Sequence, residues 1–291
     1  MPQAKIGVIG GSGLYRMEGM SEVEEVRVAT PFGDPSDIIT VGKVDGVSMA
    51  FLPRHGRGHR LNPTEIPVRA NIWALKSLGV EYVISVSAVG SLREELAPCD
   101  LVIPDQFFDR TKSRVNSFFE QGIVVHCTFA EPTCPTLNTL LYDVAHQLDD
   151  VTVHQGGTYV CMEGPLFSTK AESTLYRKLD MDLIGMTALP EAKLAREAEL
   201  CYAMIACVTD YDCWHETAES VTVEMVVGNL NANVTNAQRI LQAVAQRIPD
   251  DRAQCSCGCA HALNAAIMTD PARIPAETKE KYRLLTEKYI G

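Results

Sequence analysis

The chain has 291 residues, of which 46% are hydrophobic and 22% are charged, and its formal net charge at pH 7 is -11. This composition excludes a disordered chain, and the acidic charge argues against broad contact with a nucleic-acid backbone. No apolar run approaches the roughly 20 residues that span a bilayer, and no signal-peptide core follows the N-terminus. We therefore predict a cytoplasmic protein with neither membrane nor nucleic acid among its partners.

The first predicted strands end in turns. A strand at residues 5–9 runs into Gly-Gly-Ser-Gly at 10–13. Such a turn either brings backbone N–H groups against an anion or only reverses the chain, and both interpretations carry equal weight. Asp-Gly at 45–46 predicts a hairpin between strands at 38–44 and 47–52.

The hairpin is followed by the densest basic cluster of the chain. Residues 54–60 hold three arginines and two histidines. Taken alone, such a run is a solvated loop about twice as often as an anion site, but its position at a strand end favours the anion site. Residues 63–78 are predicted to form a helix, and a strand at 82–88 ends in Ser87 and Ala88, where a hydroxyl and backbone amides are again available.

The second half of the chain alternates strands and helices around a long excursion at residues 106–120. Strands are predicted at 101–104, 152–162, 183–186 and 201–208, and helices at 134–148, 170–179, 190–199, 222–248 and 275–289. This alternation predicts an α/β fold, with a mixed, largely parallel twisted sheet flanked by helices. We expect residues 1–291 to form a single domain, with a core at about 5–248 and a cysteine-rich turn and C-terminal helix at 249–291.

Two carboxylates, Asp210 and Asp212, follow the last predicted strand and alternate onto one side of the chain. Buried charge is costly, so the pair is solvated, salt-bridged, or faces a ligand that has donors to offer. The strand ends of an open α/β sheet converge, which brings this pair near the glycine turn, the basic cluster and the hydroxyls. Phosphate would satisfy the glycine turn, the basic cluster and the hydroxyls, and an aminopurine would offer donors to the two carboxylates.

Ordered motifs between residues 5 and 245 resemble those of the trimeric purine nucleoside phosphorylase family, in its methylthioadenosine branch. The motifs are Gly-Gly-Ser-Gly at 10–13, Thr-Pro-Phe-Gly at 30–33, Arg-His-Gly at 54–56, Ala-Asn-Ile-Trp-Ala-Leu-Lys at 70–76, Gly-Ser-Leu-Arg-Glu-Glu at 90–95, Asp-Gln-Phe at 105–107, Glu-Gly-Pro at 163–165, Met-Thr at 186–187 and Thr-Asp-Tyr-Asp-Cys-Trp at 209–214. The resemblance implies a phosphorylase fold and phosphorolysis of 5'-methylthioadenosine to adenine and 5-methylthioribose 1-phosphate. Phosphate would be a co-substrate, with no cofactor and no metal in the site.

The resemblance also implies a role for each site residue. Asp210 would protonate the base at N7, with Asp212 holding the amino group; 6-oxopurine members of the family place asparagine where this chain has Asp210. Phosphate would contact Ser12, Arg54, His55, Ser87, Ala88 and Thr187. The nucleoside would contact Phe167, Met186, His126, Val223, Val226 and Val227, with His126 reaching in from a neighbouring subunit of a homotrimer or dimer of trimers.

Two further functions stay open at this point. One is a broader purine nucleoside phosphorylase that acts on adenosine, inosine or 5'-methylthioinosine, and the other is a nucleoside-binding protein without catalysis. The cysteine run of Cys255, Cys257 and Cys259 also has several interpretations: reducible disulfides, a soft-metal site, or free thiols. Our hypothesis is that a Cys-x-Cys disulfide stabilises this tail in some members of the family, and free thiols carry about equal weight.

Overall fold

The computed structural model describes residues 2–11, 14, 17, 19–215, 223–252, 255–256 and 258–290, with the side chains of 223–227 and 230–232 left out. The sequence-based predictions for Ser12 and Cys257, and for the side chains of Val223, Val226 and Val227, therefore lie outside the described part of the chain. Among the described helices, none combines the length and the apolar character needed to cross a membrane.

Strands and helices alternate over the described residues. The strands are β1 (Ile6–Gly10), β2 (Ser21–Val26), β3 (Ile39–Val44), β4 (Val47–Pro53), β5 (Tyr82–Ser91), β6 (Leu101–Ile103), β7 (Gln106–Arg110), β8 (Val153–Gln155), β9 (Thr158–Met162), β10 (Leu183–Gly185) and β11 (Cys201–Asp210). The helices are α1 (Val68–Ser77), α2 (Pro135–His146), α3 (Lys170–Lys178), α4 (Ala188–Glu197), α5 (Val223–Ala245) and α6 (Ala276–Ile290).

Four neighbouring strands run parallel and end at the same edge of the sheet. β1 pairs in parallel with β4 and with β5, and β11 pairs in parallel with β5, starting with Cys201 opposite Tyr82. The carboxyl ends of these four strands therefore bring Gly10, Pro53 and Asp210 to one edge, which is where ligands bind in open α/β sheets.

A second group of strands meets this edge from another direction. β10 pairs antiparallel with β5, with Ile184 opposite Gly90, and pairs in parallel with β9. β9 in turn pairs in parallel with β7. Because β10 runs against β5, the residues that follow Gly185 come back beside the carboxyl half of β5. The sheet is thus mixed and largely parallel, which confirms the predicted fold class.

Apolar side chains cover both faces of the sheet. Along β11 all ten residues are buried, and successive side chains alternate between two cores: Met204 packs on the side of α1 and α4, and Ile205 on the side of α2 and α5. Strands covered on both faces read as continuous apolar runs, which is why the sequence of β11 stands out.

The structure corrects two boundaries and adds two strands, one of which, β7, opens the segment predicted as an excursion at 106–120. Helix α1 begins at Val68 instead of residue 63, because the N-cap residue Pro67 has a ψ of 66°, which is outside the helical range. The strand predicted at 152–162 is divided into β8 and β9, since Gly156 and Gly157 both adopt positive φ. Strand β2 was not predicted: its sequence, Ser-Glu-Val-Glu-Glu-Val, is exposed at five of its six positions, as suits an acidic edge strand.

Candidate active site

Arg54 lies directly after β4 and is buried, with 2% of its surface exposed. Its Nε donates to Oε2 of Glu191 at 3.0 Å, its Nη1 to the Val86 carbonyl at 3.0 Å, and its Nη2 to the Ser85 hydroxyl at 2.6 Å. The guanidinium is therefore fixed in one orientation at the carboxyl ends of β1, β4 and β5.

Glu191 is the acidic partner that makes a buried Arg54 possible. It sits in α4, is 2% exposed, and accepts a hydrogen bond of 2.9 Å from the Tyr202 hydroxyl as well as the one from Arg54. Burial by itself lowers the pKa of Arg54, but the nearby Glu191 carboxylate outweighs it, so that the pKa is raised. Arg54 thus remains a cation inside the protein.

His55 points its Nδ1 at the Leu61 carbonyl, 2.9 Å away, and its ring stacks on His59 with centroids 4.2 Å apart. Burial, reinforced by the positive charge of Arg54, lowers the pKa of His55 to about 4. The ring is therefore neutral near pH 7. Because the Leu61 carbonyl can only accept, Nδ1 carries the proton and Nε2 is left as an acceptor.

Ser87 and Thr187 meet across the junction of β5 and β10. Their hydroxyl oxygens are 2.8 Å apart, and both residues are 8% exposed. The backbone N–H of Thr187 donates to the Tyr159 hydroxyl, which holds the turn between β10 and α4 in place. Ala88 follows Ser87 in β5 and is partly exposed. The structure therefore brings together two of the hydroxyls that the resemblance assigns to phosphate.

Asp210 and Asp212 are both nearly buried, at 7% and 8% exposure. The Asp212 N–H donates to Oδ1 of Asp210 and the Thr209 hydroxyl donates to Oδ2, each at 2.8 Å. Gly90 lies against this pair, since a Cβ built there would stand 3.0 Å from Oδ1 of Asp210. The two carboxylates therefore face the same end of β5 as the hydroxyls.

Burial is the main cause that raises the pKa of Asp210, and the Asp212 carboxylate adds to it. Burial also raises the pKa of Asp212. Among the described ion pairs, neither aspartate has a cationic partner. Of the three environments open from the sequence, the solvated and the salt-bridged ones are thus disfavoured, and a ligand that offers donors fits best.

Arg114 connects the segment after β9 to the segment after β10 through its guanidinium group. From the excursion after β7 its Nη1 donates to the Met186 carbonyl and its Nη2 to the Glu163 carbonyl, both at 2.6 Å. Met186 lies against Gly164, where φ is +69°. Phe167, a few residues on, is 52% exposed and thus free to contact a ligand or another chain.

The contact between Gly164 and Met186 leaves no room for a side chain. A Cβ at Gly164 would stand 2.5 Å from the Met186 sulfur, whereas a Cβ at Gly46, with φ of +84°, would meet nothing within 4 Å. We expect Gly164→Ala to lower the stability by about 1–3 kcal/mol more than Gly46→Ala, because both add backbone strain but only the first overpacks. Thermal unfolding of the two variants measures this, and equal losses would contradict the close contact.

His126 stands apart from the other predicted residues. It is exposed, its backbone N–H donates to the Ala266 carbonyl, and its neighbour Val125 bridges to Ile267. Among the described contacts, it has no hydrogen bond to the residues predicted to bind phosphate or the base. The role of His126 in the site of a neighbouring subunit stays a prediction.

Three buried side chains in this region were not found from the sequence: Glu191, Tyr202 and Arg114. Glu191 is separated from Arg54 by 137 positions, so no local pattern links them. The one available indication was a carboxylate within the otherwise apolar first turns of α4. Arg114 lies in the predicted excursion, and its four carbonyl partners come from two other stretches of the chain, 162–163 and 186–189.

The chain is similar to known proteins in both sequence and architecture. The model of the phosphorylase superfamily matches residues 5–246. The S-methyl-5'-thioadenosine phosphorylase of Thermosynechococcus vestitus is 59% identical over 290 residues, which cover 99% of both chains. The crystal structure of a methylthioadenosine phosphorylase from an Antarctic soil metagenomic library is 47% identical, with a TM-score of 0.93 and coverage of 98% of this chain and 99% of that one.

A second solved structure carries a nucleoside. It is a point variant of adenosine/methylthioadenosine phosphorylase from Schistosoma mansoni in complex with methylthioadenosine, 38% identical, with a TM-score of 0.76 and coverage of 84% and 92%. The match of the family model over most of the chain, and the near full-length identity to these relatives, agree with the geometry of the strand ends. The chain belongs to the phosphorylase superfamily, among relatives named S-methyl-5'-thioadenosine phosphorylase.

Proposed function

We propose that this chain catalyses the phosphorolysis of 5'-methylthioadenosine to adenine and 5-methylthioribose 1-phosphate, a pentosyl transfer that salvages purine and methionine precursors. The single observation that carries the proposal is the edge of the sheet itself: it holds the buried pair Asp210 and Asp212, whose pKa values are raised, and the hydrogen-bonded hydroxyls of Ser87 and Thr187. The near full-length relatives that bear this activity in their names support it.

In the proposed reaction a phosphate oxygen attacks the anomeric carbon while the bond from that carbon to N9 of the base breaks. The electron pair of the broken bond moves onto the purine, and the proton of Asp210 goes to N7, so that neutral adenine leaves. Asp210 becomes a carboxylate and regains its proton from solvent. A carboxyl whose pKa is raised by burial is suited to this step.

Phosphate binding would use hydroxyls and a neutral histidine. The hydroxyls of Ser87 and Thr187 form a hydrogen bond with each other in the structure. Each hydroxyl can rotate to donate its hydrogen bond to an anion instead. Since Nε2 of His55 is an acceptor, it would take a hydrogen bond from the P–OH group of the phosphate dianion instead of donating one. Arg54 supplies fixed positive charge behind them, at no cost in reorientation. Ser12 and the amide of Ala88 complete the proposed set.

The base would lie between Phe167 and the aspartate pair, with Met186 against the ribose. Asp210 would accept from the amino group of adenine, which an oxo group at that position does not offer. The methylthio group would pack against Val223, Val226 and Val227 of α5. These assignments rest on the resemblance together with the positions of Asp210 and Met186.

We also propose the assembly that the resemblance predicts, a homotrimer or dimer of trimers in the cytoplasm, in which His126 completes a neighbour's site. The exposed apolar side chains of Val115, Val124 and Phe167, all at least 50% exposed, support an interface around this part of the chain. Light scattering coupled to gel filtration tests the assembly: a monomer of 31.9 kDa would contradict it.

The decisive assay incubates the protein with methylthioadenosine, with and without phosphate, and follows adenine. We expect adenine and a sugar 1-phosphate to appear in equal amounts, and only when phosphate is present. Release of adenine that ignores phosphate would make the protein a hydrolase, and binding without release would make it a nucleoside-binding protein. Adenosine, inosine and 5'-methylthioinosine in parallel assays measure the breadth of the substrate range.

A further inference from the structure

A cluster of four cysteines lies at the opposite end of β11 from Asp210. Cys201 begins β11, Cys134 is the N-cap of α2, and Cys255 and Cys259 belong to the tail that follows α5. The four sulfur atoms all lie within 4.8 Å of one another. Cys134, Cys201 and Cys259 are at most 1% exposed.

The spacing of these sulfurs is close to that of a tetrahedral thiolate site. Zinc binds thiolate sulfur at about 2.3 Å, so two sulfurs on one zinc ion are roughly 3.8 Å apart. In the structure Cys134 and Cys255 are 3.2 Å apart, and Cys255 and Cys259 are 3.9 Å apart. Small shifts of side chains would therefore suffice to place all four sulfurs around one ion.

The ligand types select among metals. Four sulfurs without a carboxylate or imidazole suit soft or borderline cations and exclude magnesium and calcium. Because the sulfurs come from a strand, a helix and the tail, one ion would join three segments that are distant in sequence.

We propose that Cys134, Cys201, Cys255 and Cys259 bind one zinc ion once the disulfide of Cys259 is reduced. Cys259 is disulfide-bonded in the structure, so the step requires a dithiol reductant. The dithiol gives two electrons and two protons to the disulfide and leaves as a cyclic disulfide. Four thiols then form four sulfur–zinc bonds and release four protons to the buffer.

The proposed ion stabilises the fold and takes no part in the reaction. Cys201 and Asp210 are the first and the last of the ten residues of β11, which places them about 30 Å apart in an extended strand. In the reduced protein the ion would connect the tail that holds Cys255 and Cys259 to α2 and β11. In the oxidised protein the disulfide of Cys259 constrains the tail instead. Zinc should therefore raise the unfolding temperature of the reduced protein and leave its turnover unchanged.

The test uses the full-length protein, reduced with dithiothreitol, freed of reductant without oxygen, loaded with zinc chloride and desalted. We expect elemental analysis to find about one zinc per chain in the wild type and in Cys207→Ala, and little in Cys134→Ala or Cys255→Ala. Cys207 is the matched control because it is a fully buried cysteine of the same strand outside the cluster.

Cobalt(II) loading provides a second measurement that needs no variant. Tetrahedral thiolate coordination gives intense visible bands and sulfur-to-cobalt charge transfer in the wild type, and zinc should displace both. The proposal is overturned if the reduced wild type retains less than about a tenth of an equivalent of zinc, or if the cobalt spectrum lacks these bands. Zinc bound equally well by Cys134→Ala and Cys255→Ala would overturn it as well. The phosphorolysis assay is independent of each outcome.

Discussion

Asp210→Asn is expected to lower kcat/KM for methylthioadenosine by about 100- to 10,000-fold, because the variant loses the group that protonates N7 of the leaving base. Relative activity on inosine-type nucleosides should rise, since the new amide can donate to an oxygen at position 6. Steady-state rates on both nucleosides, at saturating phosphate, measure the ratio. Asp250→Asn, at an exposed carboxylate on the surface, serves as the control and should leave both rates unchanged.

The same variant gives a test with pH. The proposed reaction uses protonated Asp210, whose pKa is raised by burial, so wild-type kcat/KM should fall as pH rises through that pKa. In Asp210→Asn this decline should disappear, because the amide does not titrate. The proposed role of Asp210 fails if the ratio of the two nucleosides is unchanged in the variant, or if the pH decline persists.

Glu191→Gln is expected to lower the free energy of unfolding by about 3–5 kcal/mol, because it leaves the Arg54 cation buried without its partner. Both side chains are 2% exposed and 3.0 Å apart, so solvent does not screen the loss. The KM for phosphate should rise as well, since Glu191 fixes the orientation of Arg54. Denaturant unfolding and phosphate titration of the variant measure the two effects.

Two further variants show whether burial of the ion pair causes the loss of stability in Glu191→Gln. Asp150→Asn removes an ion pair with Arg239 in which both side chains are at least 40% exposed, and its effect on stability should be small because solvent screens such a pair. Adding Arg54→Met to Glu191→Gln should recover part of the stability, because no uncompensated charge then remains, while the KM for phosphate stays high. A loss in Glu191→Gln no larger than in Asp150→Asn would contradict the importance of the buried pair.

The sequence predicted the strand ends because each is marked locally. The apolar run of β11 is followed at once by Asp210, and the strand β4 by Arg54, so chain order alone indicates which side chains gather at the sheet edge. Glu191 escaped notice for the opposite reason. Its partner Arg54 lies 137 positions away, and a buried charge is recognisable only from its partner.

The helix and strand boundaries failed where backbone conformation overrides side-chain pattern. The apolar periodicity continues through Pro67, but the non-helical backbone of that residue delays the start of α1 until Val68. The apolar run of 152–162 continues across Gly156 and Gly157, whose positive φ ends one strand before the next begins. Hydrophobic pattern reports which residues are buried, and it is insensitive to turns made within a buried segment.

The pairing of β5 with β11 has a consequence for how the molecule forms. Cys201 lies opposite Tyr82, so the most extensive contact between strands joins residues 119 positions apart (201 minus 82). Closing so long a loop is slow and is rewarded only when the pairing is nearly complete. During synthesis Arg54 and Ser87 leave the ribosome long before Asp210 does. A nascent chain therefore completes this edge of the sheet late, when the last parallel strand, β11, is inserted.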